Sequence, residues 1–191
     1  MRDHFEALAA LAAKADESMG PAVKKACQMV ADAVLSGHNV LTFGNGGSAA
    51  QALHLAAELV VRYKDDRPAL GGLCLNSDVS ILTACTNDYD FSVVFSRQIE
   101  ALGKPGDVAF ALSTSGRSPN VLKGLATARA RGLRTVLLTG SRGAAEAARW
   151  DVGLVVPSEE TAHVQELSLA IIHILCRFVD AERGRTQTHP M

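Results

Sequence analysis

Short apolar runs alternate with amphipathic stretches through most of this chain. Five runs are nearly continuous in apolar residues: NVLTF (39–43), LGGLCL (70–75), DVAFAL (107–112), RTVLLTG (134–140) and VGLVVP (152–157). A strand open to water on one face alternates apolar and polar side chains. These runs do not, so each is predicted to be a strand buried on both faces. The two glycines of LGGLCL make it the weakest of the five. Helical spacing fills the remainder, over roughly 3–17, 21–36, 48–63, 78–86, 91–102, 119–131, 143–149 and 160–183. Met19–Gly20–Pro21 reads as a break between the first two, because proline suits the first turn of a helix. The predicted fold is α/β: a three-layer, doubly wound, flavodoxin-like sheet of five parallel strands behind N-terminal helices. Ligands of such sheets sit at the carboxyl ends of strands near the switch point, which singles out the loops after Phe43, Leu75 and Leu112.

At 191 residues the chain can build one substantial core and falls short of two full domains. Residues 1–191 therefore read as a single domain, with 1–37 as an N-terminal helical segment and 184–191 as a polar, flexible tail. Apolar residues make up 48% and charged residues 20%, which places the chain among ordinary globular proteins. The formal net charge is −1 and no Lys/Arg run occurs, so no nucleic-acid partner is expected. An anionic small molecule stays open, because helix N-termini bind phosphate without side-chain charge. Cys27, Cys74, Cys85 and Cys176 are scattered with no CxxC pair, as expected for buried free thiols in a reducing cytoplasm. The start, MRDHFEALAALAAKAD, carries charges in its first turns. Neither a signal peptide nor a membrane span is expected from it.

Two loops carry candidate chemistry. Gly44-Asn45-Gly46-Gly47-Ser48 follows a strand and opens a helix. Its glycines admit a ligand close to the backbone, and Ser48 is placed to cap the helix. The pattern is neither GxGxxG nor a Walker loop, so no nucleotide is implied, and a tight strand–helix turn would use the same residues. Ser113-Thr114-Ser115-Gly116-Arg117-Ser118-Pro119 also follows a strand, with Ser118 at the N-cap position and Pro119 at the first helical position. A cap needs one hydroxyl, and this loop has four. Hydroxyls and backbone N–H groups at a positive helix end suit a phosphate monoester. Asn87-Asp88 is a weaker signal, since Asx residues are common in turns.

The helix after the glycine loop carries His54 and Glu58 four residues apart, on one face and among Ala, Leu and Val. A surface ion pair would look the same. The last helix carries Gln165, Glu166 and, within Ile-Ile-His-Ile-Leu, His173. A lone histidine in such a run is more often a satisfied core residue than a catalyst, and spacing alone does not bring the two helices together.

GNGGS followed by His54 and Glu58, then Asn87-Asp88, STSGRS, Gln165-Glu166 and IIHIL, resembles the phosphoheptose isomerases over nearly the whole chain. These are small single-domain members of the sugar isomerase (SIS) fold. The two loops alone point to phosphosugar binding; the His/Glu and Gln/His pairs narrow the likeness to the isomerase. The resemblance implies interconversion of sedoheptulose 7-phosphate and D-glycero-D-manno-heptose 7-phosphate, feeding lipopolysaccharide core or other surface-glycan synthesis. It implies substrate contacts from Asn45, Gly46, Gly47, Ser48, Glu58, Asn87, Asp88, Ser113, Thr114, Ser115, Ser118 and Gln165. Glu58 would be the base and His173 the acid. It also implies zinc at His54, Glu58, Gln165 and His173, no nucleotide or organic cofactor, and a cytoplasmic homotetramer. Its sites would lie between subunits, the last helix of one chain meeting the Glu58 helix of another. The 1–37 segment would serve in that packing.

Three positions depart from the family pattern: Gln51 where Asp is frequent, Ser168 where His is frequent, and Thr86 where a small residue is usual. None removes a proposed acid, base or phosphate-binding group. The residue types suit the chemistry. An aldose–ketose isomerase moves a proton between neighbouring carbons through an enediol, which a carboxylate near neutrality can do. The same family includes a non-enzymatic paralogue that binds the bacterial replication initiator and lacks the acid–base pair. A phosphosugar-sensing module is a third reading, but it is normally joined to a basic DNA-binding segment, absent from these N-terminal helices.

Overall fold

The computed structural model describes residues 2–188. Five strands form one parallel sheet: β1 (Val40–Gly44), β2 (Gly72–Cys74), β3 (Val108–Leu112), β4 (Arg134–Gly140) and β5 (Val152–Val156), in the order β2-β1-β3-β4-β5. Every residue of β1 and β3 is buried, which is why their sequences do not alternate. The edge strand β5 alternates buried and half-buried positions, and β2 spans three residues, as its glycines anticipated. The expected doubly wound, flavodoxin-like order is the observed one.

Seven α-helices accompany the sheet among the described residues: α1 (Arg2–Leu35), α2 (Gly47–Val60), α3 (Val79–Asp88), α4 (Val94–Leu102), α5 (Pro119–Ala130), α6 (Ala144–Ala147) and α7 (Thr161–Thr188). Successive residues of a strand serve opposite layers. Val108, Phe110 and Leu112 pack with Val30, Val34, Leu55, Leu59, Ile172 and Leu175 of α1, α2 and α7. Ala109 and Ala111 pack with Phe95, Ile99, Val121 and Leu125 of α4 and α5.

The predicted break at Pro21 is not there: α1 runs unbroken across it. Proline inside a helix costs about 3 kcal/mol. Pro21 is exposed, and so is Glu17, whose carbonyl loses the N–H that a non-proline residue would offer it. On the other face Met19, Ala26, Cys27, Val30, Ala31 and Val34 are buried along one continuous stripe. At roughly 1.5–3 kcal/mol for each large apolar side chain, that stripe outweighs the kink. All four cysteines are free and buried. Helix α7 is long and apolar enough over Thr161–Arg185 to cross a bilayer by length and composition. Here its apolar face packs on the sheet with α1 and α2. Of the tail expected to be flexible, 184–188 continue α7, and 189–191 lie outside the described residues.

Candidate active site

The chain leaves β1 toward β2 on one side and reaches β3 on the other, so the loops after β1 and β3 flank the switch point. They are bound to each other. Asn45 donates to Asn120 Oδ1 at 2.9 Å, and Asn120 donates back to Asn45 Oδ1 at 2.8 Å. The loop after β2 joins them: Asn76 donates to the Gly44 carbonyl at 2.9 Å and accepts from the Gly44 N–H at 3.2 Å. Asn120 and Asn76 thus tie the glycine loop to the segments that follow β3 and β2.

Neither expected hydroxyl cap forms. Helix α2 begins one residue early, with Gly46 at its N-cap, no side-chain cap bond, and Ser48 buried inside the first turn. Ser118 is the N-cap residue of α5, but its Oγ lies 3.2 Å from Ser113 Oγ instead of bonding the helix N–H groups. Other groups take the first-turn donors: Val121 donates its N–H to Asn120 Oδ1 at 3.0 Å, and Ser48 donates its N–H to the Asn45 carbonyl at 3.0 Å. Gly116 adopts φ +64°, and a Cβ there would stand 2.6 Å from the Gly143 backbone, so the Ser/Thr loop needs glycine on both counts.

Helix α7 reaches both loops. The side chain of Gln165 lies against Gly47, where an added Cβ would come within 2.2 Å of its Nε2. Gln51 donates to the Gln165 carbonyl at 2.5 Å. Near the other loop, Gly140 donates to the Thr114 carbonyl at 3.0 Å and has Val164 of α7 beside it.

Further along both helices the sequence-predicted acid–base residues meet, His54 one turn after Gln51 and His173 two turns after Gln165. His54 Nε2 lies 3.1 Å from His173 Nε2 and 3.5 Å from Glu58 Oε1. Resemblance placed this meeting between subunits; it occurs within one chain, because α7 packs beside α2 on the same face of the sheet. Glu58 Oε2 is buried with no hydrogen-bond partner. Two imidazole nitrogens at 3.1 Å require that one ring donates N–H and the other accepts, or that a cation lies between them. Tyr63 stacks on His173 with ring centroids 5.6 Å apart.

Sequence reasoning missed what holds Glu58. Arg67 is buried and donates to the Glu58 carbonyl at 2.7 Å and the Leu59 carbonyl at 2.9 Å, closing the last turn of α2. It also pairs with Asp180 of α7 at 2.9 Å. One guanidinium thus ties the end of the Glu58 helix to the His173 helix. Cys176, one turn after His173, has its thiol pushed up to about 12 by burial and by the negative charge of Glu58. Asn87 and Asp88 stand apart: they end α3, exposed, with Asn87 donating to Asp88 at 2.8 Å.

The chain matches the SIS domain over residues 3–140. It is 48% identical over 179 residues to the phosphoheptose isomerase of Paramagnetospirillum magneticum, covering 94% of this chain and 91% of that one. Among solved structures it resembles the phosphoheptose isomerase of Neisseria gonorrhoeae with a TM-score of 0.88 at 36% identity. That match covers 94% of this chain and 96% of the other. It also resembles one from Francisella tularensis with a TM-score of 0.90 at 32% identity, with the same coverage.

Proposed function

The chain belongs to the SIS-domain family of phosphoheptose isomerases, and from that premise we propose that it interconverts sedoheptulose 7-phosphate and D-glycero-D-manno-heptose 7-phosphate through an enediol. That it is a phosphosugar isomerase follows from the likeness to isomerases over nearly its full length. The observation that carries the finer reading is that His54 lies beside both Glu58 and His173, on the two helices that also bring Gln165 against the glycine loop.

In this reading the phosphate sits at the Ser113–Ser118 loop, where hydroxyls and the α5 N-terminus face it. Asn45, Gly46, Gly47, Ser48 and Gln165 hold the sugar chain between the loops. The remote phosphate supplies binding energy that sets the reacting carbons against Glu58. Glu58 Oε2, buried and unpartnered, takes the proton from the carbon beside the carbonyl and returns it to its neighbour. His173, oriented by Tyr63 and His54, moves a proton at the substrate oxygens.

The same donors suit zinc: two imidazoles, a carboxylate with an orphaned oxygen, and the weaker amide of Gln165. A zinc ion held there would supply positive charge to the oxygens of the reacting carbons. A Glu58 engaged as a ligand is a poorer base, so the two roles compete. Metal analysis after gentle purification, with activity measured before and after chelation, decides between them.

We further read the chain as a cytoplasmic homotetramer with sites completed between subunits. Val79, Ile81, Tyr89 and Phe91 expose large apolar groups around Asn87 and Asp88. A partner covering that surface would bring this Asx pair toward substrate. The test of the activity is direct: incubate the protein with sedoheptulose 7-phosphate and follow aldose formation. Turnover is expected in the wild type; its absence would remove the proposed reaction, and full activity in Glu58→Gln would remove the assigned base.

A further inference from the structure

A second histidine–carboxylate cluster lies outside this site, where the first turn of α1 crosses the first turns of α7. His4 Nε2 is 2.8 Å from Glu166 Oε1. The rings of His4 and His163 stand 4.8 Å apart, and one ligand atom from each of His4, His163 and Glu166 lies within 4.8 Å of the others. Glu166 follows Gln165 in sequence but bonds to α1, whereas Gln165 lies against Gly47. The cluster is therefore separate from the candidate active site.

His163 gives the cluster its direction. It is 8% exposed, and its Nδ1 lies 3.1 Å from Glu160 Oε2. A carboxylate at Nδ1 holds the N–H there and leaves the lone pair on Nε2. That Nε2 is buried and has no hydrogen-bond partner. Burying an acceptor without a donor destabilises the fold, so an unfilled lone pair calls for an occupant. A carboxylate behind an imidazole is also the arrangement that fixes the tautomer of metal-bound histidine.

We propose that His4, His163 and Glu166 bind a divalent transition-metal ion of the zinc type, clasping the start of α1 to the start of α7. Two imidazoles and one carboxylate match zinc, with a fourth position open to water. Binding displaces the proton that His4 shares with Glu166, and the metal takes over the contact between the helices.

The test uses the full chain carrying His54→Gln and His173→Gln, which removes the imidazoles of the active-site cluster. After chelator treatment and dialysis, zinc sulfate is titrated while bound zinc and the unfolding temperature are measured. One zinc per chain is expected, with a rise in unfolding temperature. Adding His4→Gln and His163→Gln to this background should abolish both signals with the circular dichroism spectrum unchanged. Glu160→Gln should weaken zinc about tenfold by freeing the His163 tautomer. No zinc bound in the starting background, or zinc retained after loss of both His4 and His163, would overturn the proposal. In the chain with His54 and His173 intact, His163→Gln should leave isomerase turnover unchanged while lowering total zinc uptake. Failure here is thus separable from failure of the proposed reaction.

Discussion

Helix α7 carries two histidine–glutamate constellations built from the same residue types and supported in different ways. In the first, His173 meets His54 across the buried seam with α2, where Leu55 and Leu59 lie in the core, and His54 in turn lies beside Glu58. In the second, His163 and Glu166 meet His4 at the first turn of α1. Each has one well-covered member: Glu58 keeps 19% of its side-chain surface in water against 39% for His54, and His163 keeps 10% against 40% for His4. The lesson is that side-chain identity does not make a catalytic group. A base must be held against its substrate by a rigid frame, and in the first constellation Arg67 supplies it by tying the end of the Glu58 helix to α7. The second can become ordered by the ion it binds.

Removing the chemistry from the better-supported constellation should give the largest effect. Glu58→Gln and His173→Gln each keep shape while losing an acid–base group, and each should lower turnover roughly 100- to 10,000-fold with the fold intact. Steady-state kinetics on sedoheptulose 7-phosphate, with the circular dichroism spectrum as control, checks this. Equivalent changes at His163 should leave turnover untouched.

Removing the frame should come next. Arg67→Met leaves Asp180 buried without its partner and opens the end of α2, which should cost about 3–5 kcal/mol in urea unfolding. Arg67→Met with Asp180→Leu should recover much of that loss, because the uncompensated charge is gone. The recovery should not extend to turnover, since the bonds to the Glu58 and Leu59 carbonyls stay missing.

Gly47→Ala separates the two quantities further. The new Cβ meets the tip of Gln165, a flexible side chain that can move aside. Gly47 opens α2 and has an ordinary backbone conformation, so alanine is tolerated there and stability should hold. Turnover should fall by as much as roughly 100-fold, because a displacement of about 1 Å in a positioning group is enough for that.

How far these regions could be read from sequence follows the same division. The strands were readable, because a parallel sheet buried on both faces writes its burial into consecutive residues such as Val108–Leu112. Residues within one loop or one helix turn were readable too: Gly44–Ser48, Ser113–Ser118, and His54 with Glu58. What joins them was not. His54 and His173 are 119 residues apart, and no period in either helix points to the other. Arg67 sits in the charged run KDDR, where a solvated surface is the ordinary expectation, yet its guanidinium is buried. The continuity of α1 was hidden for a related reason. Pro21 is a strong local signal, and the stripe from Met19 to Val34 that overrides it counts only once the sheet and α7 are there to bury it.

The smallest expected effect falls on the weaker constellation. With metal removed, His4→Gln exchanges one half-exposed hydrogen bond to Glu166 for another or for water. Such surface pairs contribute about 0–1 kcal/mol, so metal-free unfolding should be nearly unchanged. Zinc makes the same substitution informative. A ligand that binds only the folded chain stabilises it by about 2.7 kcal/mol at 100 times its dissociation constant, and His4→Gln should forfeit most of that. Unfolding measured with chelator and then with zinc therefore separates a hydrogen bond from a metal clasp at the same residue. A His4→Gln cost that is large without zinc would mean that α1 is already anchored there. The contrast between a preformed site and one completed by its ion would then have to be redrawn.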